Sequence, residues 1–362
     1  MTPSRWLILP FLAAILPLCG DALAGPVSLT DAQRTKLAAL VKSDAEAAKR
    51  FNGLRKEADA ALSAEPGPVK HILTEGKLKD DPDKVRTRKA LDDMDAMEAL
   101  GFAYAVTGEA KYADRARHFL LAWAKKNESR GDPIDDTNLE QAIVAYDLVR
   151  STCSKPDRKT IDAWLRQAAD EEIDTAKKGK GTKNNWHSHR LKVVGLVGLL
   201  LEDRKLIDYT IEAFKKHINH NLNPDGSSID FHERDALHYH CYDLEPLLTL
   251  AIAMENAGHR IYGYTSPEGS SLAKSVRFLV PYCDGSKTHA EWVHSKVAFD
   301  KKRAESGDPH FKIGMQFEPK SGRQTIELGA YFDPSLNGLA RKLSKHDAER
   351  FTSWRMVLNA VK

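Results

Sequence analysis

Two short windows of this 362-residue chain concentrate side chains fit for moving protons. The first is Asn184-Asn185-Trp186-His187-Ser188-His189-Arg190, and the second is His232-Glu233-Arg234-Asp235-Ala236-Leu237-His238-Tyr239-His240-Cys241-Tyr242. Together they hold amides, imidazoles, a guanidinium and phenols, which can grip a carboxylate, take a weakly acidic proton from carbon and protonate a departing oxygen. Those are the steps of a β-elimination on an acidic polysaccharide. The C5 proton of a uronate can be removed only if the adjacent carboxylate is neutralised or hydrogen-bonded, so that the enolate-like intermediate is stabilised. A base must then reach that proton and an acid must reach the C4 oxygen. Asn185 and Arg234 suit the first task, His187 or Tyr242 the second, and Tyr242 the third. Where the proton and the oxygen share a face of the sugar, one tyrosine can make both transfers, leaving His187 to help neutralise the carboxylate. This chemistry requires no metal and no cofactor.

The elements that position these groups follow from spacing. If a helix begins by Arg234, then Arg234, His238 and Tyr242 stack on one face, because residues four apart are neighbours. Tyr239 and Asp235 form the adjacent stripe, and His240 points elsewhere. Asn185 and His187 stand near the start of another helix, after Gly179-Lys180-Gly181-Thr182-Lys183, where free backbone N–H groups favour an anion. His189, His238 and Tyr239 read as groups lining the substrate path, and Trp186 as a ring that stacks on a sugar or as an ordinary buried tryptophan. Lys70, His71 and Arg190 are candidate partners for substrate carboxylates. Each also has a plain structural alternative: Asn185 a helix cap, Arg234 a salt bridge to Glu233 or Asp235, Tyr242 a core residue. The runs Lys177-Lys178 and Lys301-Lys302-Arg303 read as solvated surface.

From Leu29 onward the pattern is helical almost throughout. Thr30 is a plausible cap for a first helix running towards Arg55. A loop rich in glycine, proline and charge, from Glu65 to Arg86, has the length of a functional lid. Helical patterns follow over 89–107, 111–127, 138–150, 156–177, 185–202, 206–219 and 235–257, with 271–279 and 347–360 beyond, while 311–332 is ambiguous. Short turns between such helices imply antiparallel pairs. The run Val193 to Leu201 is core, its glycines allowing close packing. A hydrophobic fraction of 42% supports a packed core, and no linker divides residues 25–362, so one all-α domain of helical hairpins is expected. Residues 1–24 have the pattern of a cleavable signal: Arg5, a short apolar run, then Ala22-Leu23-Ala24. A lipid on Cys19 is the competing reading. A periplasmic or secreted monomer is expected, with no membrane anchor after cleavage. Cys153, Cys241 and Cys283 are too few and too scattered for a disulfide framework. The net charge of +3 suits a polyanionic partner and gives no sign of nucleic-acid binding.

Asn184-Asn185 followed closely by a histidine, with Ala236-Leu237-His238-Tyr239-His240-Cys241-Tyr242 downstream, resembles the alginate lyase superfamily, over roughly Lys70 to Ala257. The resemblance implies an incomplete (α/α) toroid and a catalytic set of asparagine, histidine, arginine and tyrosine, which fall on Asn185, His187, Arg234 and Tyr242. Trp186 separates the asparagine from the histidine, and the arginine stands one place early, with Asp235 in its slot. The form Asn-Asn-Trp-x-Ser-His-Arg is similar to a branch containing lyases of alginate or of β-1,4-glucuronan. Three rivals remain. A metal hydrolase is disfavoured, because histidines two apart on a helix point about 200° from each other. A non-catalytic periplasmic binder of acidic exopolysaccharide would keep the cationic groove. A glycoside hydrolase would need two facing carboxylates, for which Glu140, Asp230 and Glu233 are available.

Overall fold

A computed structural model describes residues 26–362; the signal-like stretch 1–24, with Arg5 and Cys19, lies outside the described residues. The chain opens with α1 (Asp31–Ser43) and α2 (Ala45–Ala61). Thr30 caps α1 through a reciprocal capping box with Gln33. The single helix expected from Thr30 to Arg55 is broken at Asp44, whose extended backbone ends α1. Its carboxylate accepts the N–H groups of Glu46 and Ala47 to start α2. Asp81 and Pro82 start α3 (Pro82–Thr107), and Gly108, at φ 71°, stops it. There follow α4 (Ala110–Ala124), α5 (Pro133–Asp136), α6 (Glu140–Val149), α7 (Lys155–Lys177), α8 (Asn185–Leu200) and α9 (Arg204–Asn221). The second half carries α10 (Ile229–Arg234), α11 (Leu237–Asn256), α12 (Leu272–Cys283), α13 (Ala298–Glu305), α14 (Arg323–Gly329), α15 (Asn337–Lys342) and α16 (Trp354–Asn359). Among the described residues, β pairing is confined to two isolated bridges, Leu222–Ser228 and Ala290–Gln316.

The helices form two layers. An inner row runs α3, α6, α8, α11, α14, each packed on the next, while α2 and α4 cover α3, α7 and α9 cover α8, and α12 covers α11 and α14. Between the ends of this row, α16 touches both α14 and α2 in place of a full hairpin. The result is an incomplete (α/α) toroid with one contiguous core from Val27 to Val361. Cys153, Cys241 and Cys283 sit in that core as free thiols.

The central inner helix shows why the layers form. Fifteen of the sixteen residues of α8 are buried, all but Trp186, as expected of a helix with neighbours on every side. Its two glycines face the closest of them. A Cβ on Gly195 would collide with Leu250 Cδ1 of α11 and come within 2.8 Å of Thr210 Cγ2 of α9; one on Gly198 would lie 2.9 Å from Leu206 Cβ. Gly195→Ala is therefore expected to lower unfolding free energy by about 1–3 kcal/mol through overpacking. Gly53→Ala, a helical site with nothing within 4 Å of the added carbon, should be neutral or stabilising by up to about 1 kcal/mol. Chemical denaturation of both variants checks the pair, and equal effects would refute the close-packing account.

Candidate active site

The first turn of α8 and the break between α10 and α11 create the site. Asn184 caps α8 by accepting Trp186 N–H at 3.3 Å. The buried Asp230 of α10 accepts the backbone N–H of Asn185 at 2.7 Å and also its side-chain amide. An amide nitrogen has two donors, so one remains for a ligand. Burial pushes the Asp230 carboxyl up to about 6 against the pull of those bonds. The single helix that, begun by Arg234, would carry it in register with His238 and Tyr242 is in fact two helices. Asp235 adopts a left-handed conformation (φ 48°) that ends α10 at Arg234, a conformation aspartate tolerates better than most residues. Its carbonyl accepts Trp292 N–H and its carboxylate His294 N–H, each at 2.8 Å. α11 then starts afresh at Leu237, and the carboxylate of Glu291 accepts the first free N–H groups, Leu237 at 2.7 Å and His238 at 3.1 Å.

These elements enclose a cavity of about 420 Å³. Six of the residues singled out from sequence line it: Asn185, Trp186, Arg234, His238, Tyr239 and Tyr242. Arg234 arrives from its separate helix, paired with Asp300 at 2.5 Å, its guanidinium 3.9 Å from the Tyr239 ring centre. Arg303 donates to the Tyr239 hydroxyl at 2.9 Å, so two arginines hold that phenol. The His238 ring lies parallel to that of Tyr242, with centres 6.5 Å apart. Burial, then the nearby His310, Arg303 and Arg234, take His238 down to about 4. Tyr242 packs against His189 at 4.3 Å and Tyr239 at 5.8 Å. Burial raises its hydroxyl above the ordinary phenol range, so the resting group carries its proton and can act as an acid.

Other expected residues stand elsewhere. The His187 ring packs edge-on against His217 at 4.9 Å and is not among the cavity walls; burial and Arg190 take it down to about 4. The imidazole beside Tyr242 belongs to His189, four residues after Asn185 on the same helix; expected to line the substrate path, it too lies behind the cavity walls. His189 meets Thr137 Oγ1 through Nδ1 at 2.7 Å, and its buried Nε2 has no protein partner. Burial, with Lys192 close by, holds its pKa well below the usual value, so it is neutral. Arg190 does not face the cavity: wholly buried, it pairs with Glu172 at 2.9 Å and donates to the carbonyls of Lys180 and Gly181. Lys70 pairs with Glu128 at 3.3 Å and the His71 ring meets the Glu128 carbonyl at 2.9 Å, both outside the cavity. His240 is spent on Ser228 and the Ser275 carbonyl.

The cavity has walls that sequence reasoning did not assign. Glu75 comes from the expected lid loop, which is tied down where Asp135 accepts from Thr74 N–H (2.6 Å), Thr74 Oγ1 (2.7 Å) and Glu75 N–H (3.0 Å). Lys84 and Arg88 come from α3, where their i,i+4 spacing was the available signal. Arg303, Asp308 and His310 come from the C-terminal segment. Arg303 had been read as part of a surface run; its first turn of separation from Asp300 and the apolar Phe299 and Phe311 beneath it turn it inward. Four cations thus face two carboxylates across this space: Lys84, Arg88, Arg234 and Arg303 against Glu75 and Asp308.

Residues 28–289 match the family model described as alginate lyase. The chain belongs to the alginate lyase family. Among curated relatives, an alginate lyase of Stenotrophomonas maltophilia is 27% identical over 209 residues, covering 51% of this chain and 27% of that protein. A polysaccharide lyase of the same organism is 28% identical, covering 48% and 56%. An exo-oligoalginate lyase of Saccharophagus degradans is 24% identical, covering 44% and 24%. The matches thus span about a quarter to a little over half of these relatives' lengths. The fold is similar to the crystal structure of an alginate lyase from Bacteroides ovatus, with TM-score 0.70, 18% identity, and coverage of 91% of this chain and 97% of that one. It is also similar to alginate lyase A1-III from Sphingomonas species A1, with TM-score 0.58, 19% identity, and coverage of 83% and 94%. The alginate lyase family match ends at 289, before Arg303, Asp308 and His310.

The cap on α11 gives a pH-dependent prediction. Burial takes Glu291 from an ordinary 4.5 up to about 7, so folding favours its protonated form. Its contribution to stability is full below about 4.5 and lost as pH rises through about 7. Glu291→Gln removes this titration while keeping one acceptor. Whatever constant offset the substitution brings, the variant's melting temperature is expected to gain on wild type as pH rises from 4.5 to 7. Parallel melting curves across that window would refute the assignment.

Proposed function

We propose that this protein is an exported polysaccharide lyase that cleaves 4-O-linked uronate chains by β-elimination, with alginate as the first substrate to test. One observation carries the reading: a protonated, half-buried Tyr242 shares a cationic cavity with Asn185 and Arg234. The names of the curated relatives support alginate. The Asn-Asn-Trp form of the first window makes β-1,4-glucuronan the second substrate to test. The signal-like residues 1–24 support export, and no helix among the described residues is long and apolar enough to cross a membrane.

In this reading the substrate carboxylate sits between the free amide donor of Asn185 and the guanidinium of Arg234. Both are held in place beforehand, by Asp230 and Asp300 respectively, so the charge growing on the enolate-like intermediate is met without reorganisation. Tyr242 protonates the C4 oxygen. Cleavage also needs a base for the C5 proton. Tyr242 serves in both roles if its phenol first loses a proton to solvent, a loss that the charge of Arg303 favours, with His189 packed against its ring. His187, turned towards His217, would support the helix rather than the reaction.

The test is absorbance at about 230–235 nm, where the unsaturated uronate left by this elimination is expected to appear once acid and base have acted. Polymannuronate, polyguluronate, glucuronan and hyaluronan form the panel; no rise on any of them sinks the reading. Tyr242→Phe is expected to cut turnover by about 10²–10⁴, the usual share of general acid–base catalysis, with the fold intact by circular dichroism. His189→Ala should lose more turnover than His187→Ala. The reverse order would return the catalytic role to His187.

A further inference from the structure

Residues 334–362 hold six lysines and arginines against two acidic residues, a surplus of four, while the whole chain nets only +3. The rest of the chain therefore carries no positive surplus of its own. Part of this basic stretch lines a groove of about 590 Å³ beside α15 and α16, larger than the catalytic cavity. Arg341, Arg350 and Lys362 stand among its walls with Tyr331, Asn337 and Phe351, and no acidic side chain does. All of these residues lie beyond the 28–289 covered by the family match.

The three cations are held without being neutralised. Lys362 Nζ lies 4.8 Å over the Tyr331 ring and donates to the Tyr331 carbonyl at 2.6 Å. Arg350 lies 4.3 Å over the Phe351 ring; it pairs with Asp44 yet stays exposed. Aromatic faces orient a cation and leave its charge available. Among the described residues the Arg341 side chain has no hydrogen-bond or ion-pair partner, whereas Arg277 nearby in the fold pairs with Asp333. Glu349 is likewise engaged elsewhere, by Lys49 and Arg50. The wall is fixed to α2, where Glu46 accepts the Phe351 N–H at 3.0 Å and Arg50 donates to its carbonyl at 2.6 Å.

The groove stands apart from the catalytic cavity. The Tyr331 hydroxyl donates to Asn256 at 3.2 Å. Asn256 is the last residue of α11, and Tyr242 stands in the second turn of that helix. At 1.5 Å per residue the two are about 21 Å apart along the axis, so the groove lies at the other end of the toroid. Its chemistry suits a hydrophilic polyanion. Protein interfaces and membrane surfaces are gripped by apolar anchors as well as charge, and the exposed large hydrophobic side chains among the described residues, Val85, Val293 and Ile313, are all outside it.

We propose that this groove is a second, non-catalytic binding site for the polyuronate, which holds one stretch of a long chain while another stretch occupies the catalytic cavity. The inference rests on the lyase reading above for the identity of the polymer. Engaging one chain at two places makes the second contact intramolecular, so the gain belongs to long chains and not to short ones.

The experiment compares Arg341→Gln/Lys362→Gln with Lys342→Gln/Lys345→Gln, which makes the same charge change beside the groove. In the Tyr242-containing enzyme the groove variant is expected to raise KM for long polymannuronate about tenfold, the size of a lost charge-assisted contact. Its kcat, and both constants on a mannuronate trimer, should stay as in the parent. The control variant should match the parent on both substrates, and Arg341→Lys should keep polymer affinity. In native gels containing polymannuronate, the Tyr242→Phe protein should be retarded less once it carries the groove substitutions. Equal polymer KM for groove and control variants, or a KM change shared by the trimer, overturns the second site. Groove-dependent binding to phosphatidylglycerol vesicles with polymer retardation unchanged overturns it in favour of a membrane surface. Absence of product absorbance on every polymer, with groove-dependent retardation intact, overturns the lyase reading instead and leaves the groove supported.

Discussion

A helix buried on nearly every side still has to begin somewhere, and α8 begins in the cavity. Its first two turns carry Asn185, His187, Ser188, His189, Arg190 and Lys192, all buried, and buried polar groups are costly unless paired. Each partner chosen shapes the site. Asp230 fixes Asn185. Ser188 bridges His217 and Asp243 at 2.7 and 2.6 Å. His189 takes Thr137, Arg190 takes Glu172, and Lys192 takes Glu140. Thr137 follows directly on α5, whose Asp135 ties down the lid loop. Satisfying one helix therefore sets the positions of α5, α10 and the lid loop, which are three walls of the cavity.

Burial also settles protonation. His187, His189, His238 and His240 are all held below the ordinary histidine range, mainly by desolvation, so the crowd of imidazoles contributes little positive charge near neutral pH. The cationic character of the cavity comes from lysine and arginine, which remain charged. The overall charge of +3 is a poor guide to this local field. The carboxylates behave conversely: Asp230, Glu172 and Glu291 are all pushed upward by burial, and each holds a backbone or side-chain donor that positions the site. Asp136, wholly enclosed beside Glu172, is raised by burial and by that neighbour's charge.

The segment after Gly258 looked irregular because it works as a strap rather than as another hairpin. Its backbone pairs with the α10–α11 junction: Lys296 N–H reaches the Glu233 carbonyl and Trp292 N–H the Asp235 carbonyl, each at 2.8 Å. Glu291 caps α11 from the same stretch. Trp292 and Phe311, with ring centres 4.7 Å apart, join Tyr239 and Ala236 in a small apolar cluster separate from the main core. That cluster seats Arg303 against the cavity and gives irregular chain a fixed place.

The sequence by itself determined the helical class, the approximate bounds of α4, α6 to α9 and α11, the cap at Thr30, the packing role of Gly195, and the two windows that carry Asn185, Arg234, His238, Tyr239 and Tyr242, whereas the start of α3 at Pro82 fell inside the expected loop. All of these depend on local periodicity, on capping chemistry or on residue type, which a linear reading registers. The tertiary structure alone decided that His189 rather than His187 meets Tyr242, that Arg190 is an interior anchor, and that Lys84, Arg88 and Arg303 share the cavity. A helix face has no direction until its neighbours are in place. An arginine's destination depends on where its carboxylate lies, and Glu172 and Asp300 are distant in sequence from Arg190 and Arg234. The break at Asp235 belongs to the same class: its left-handed turn is held by Trp292 and His294, contacts more than fifty residues away that local spacing has no means to express.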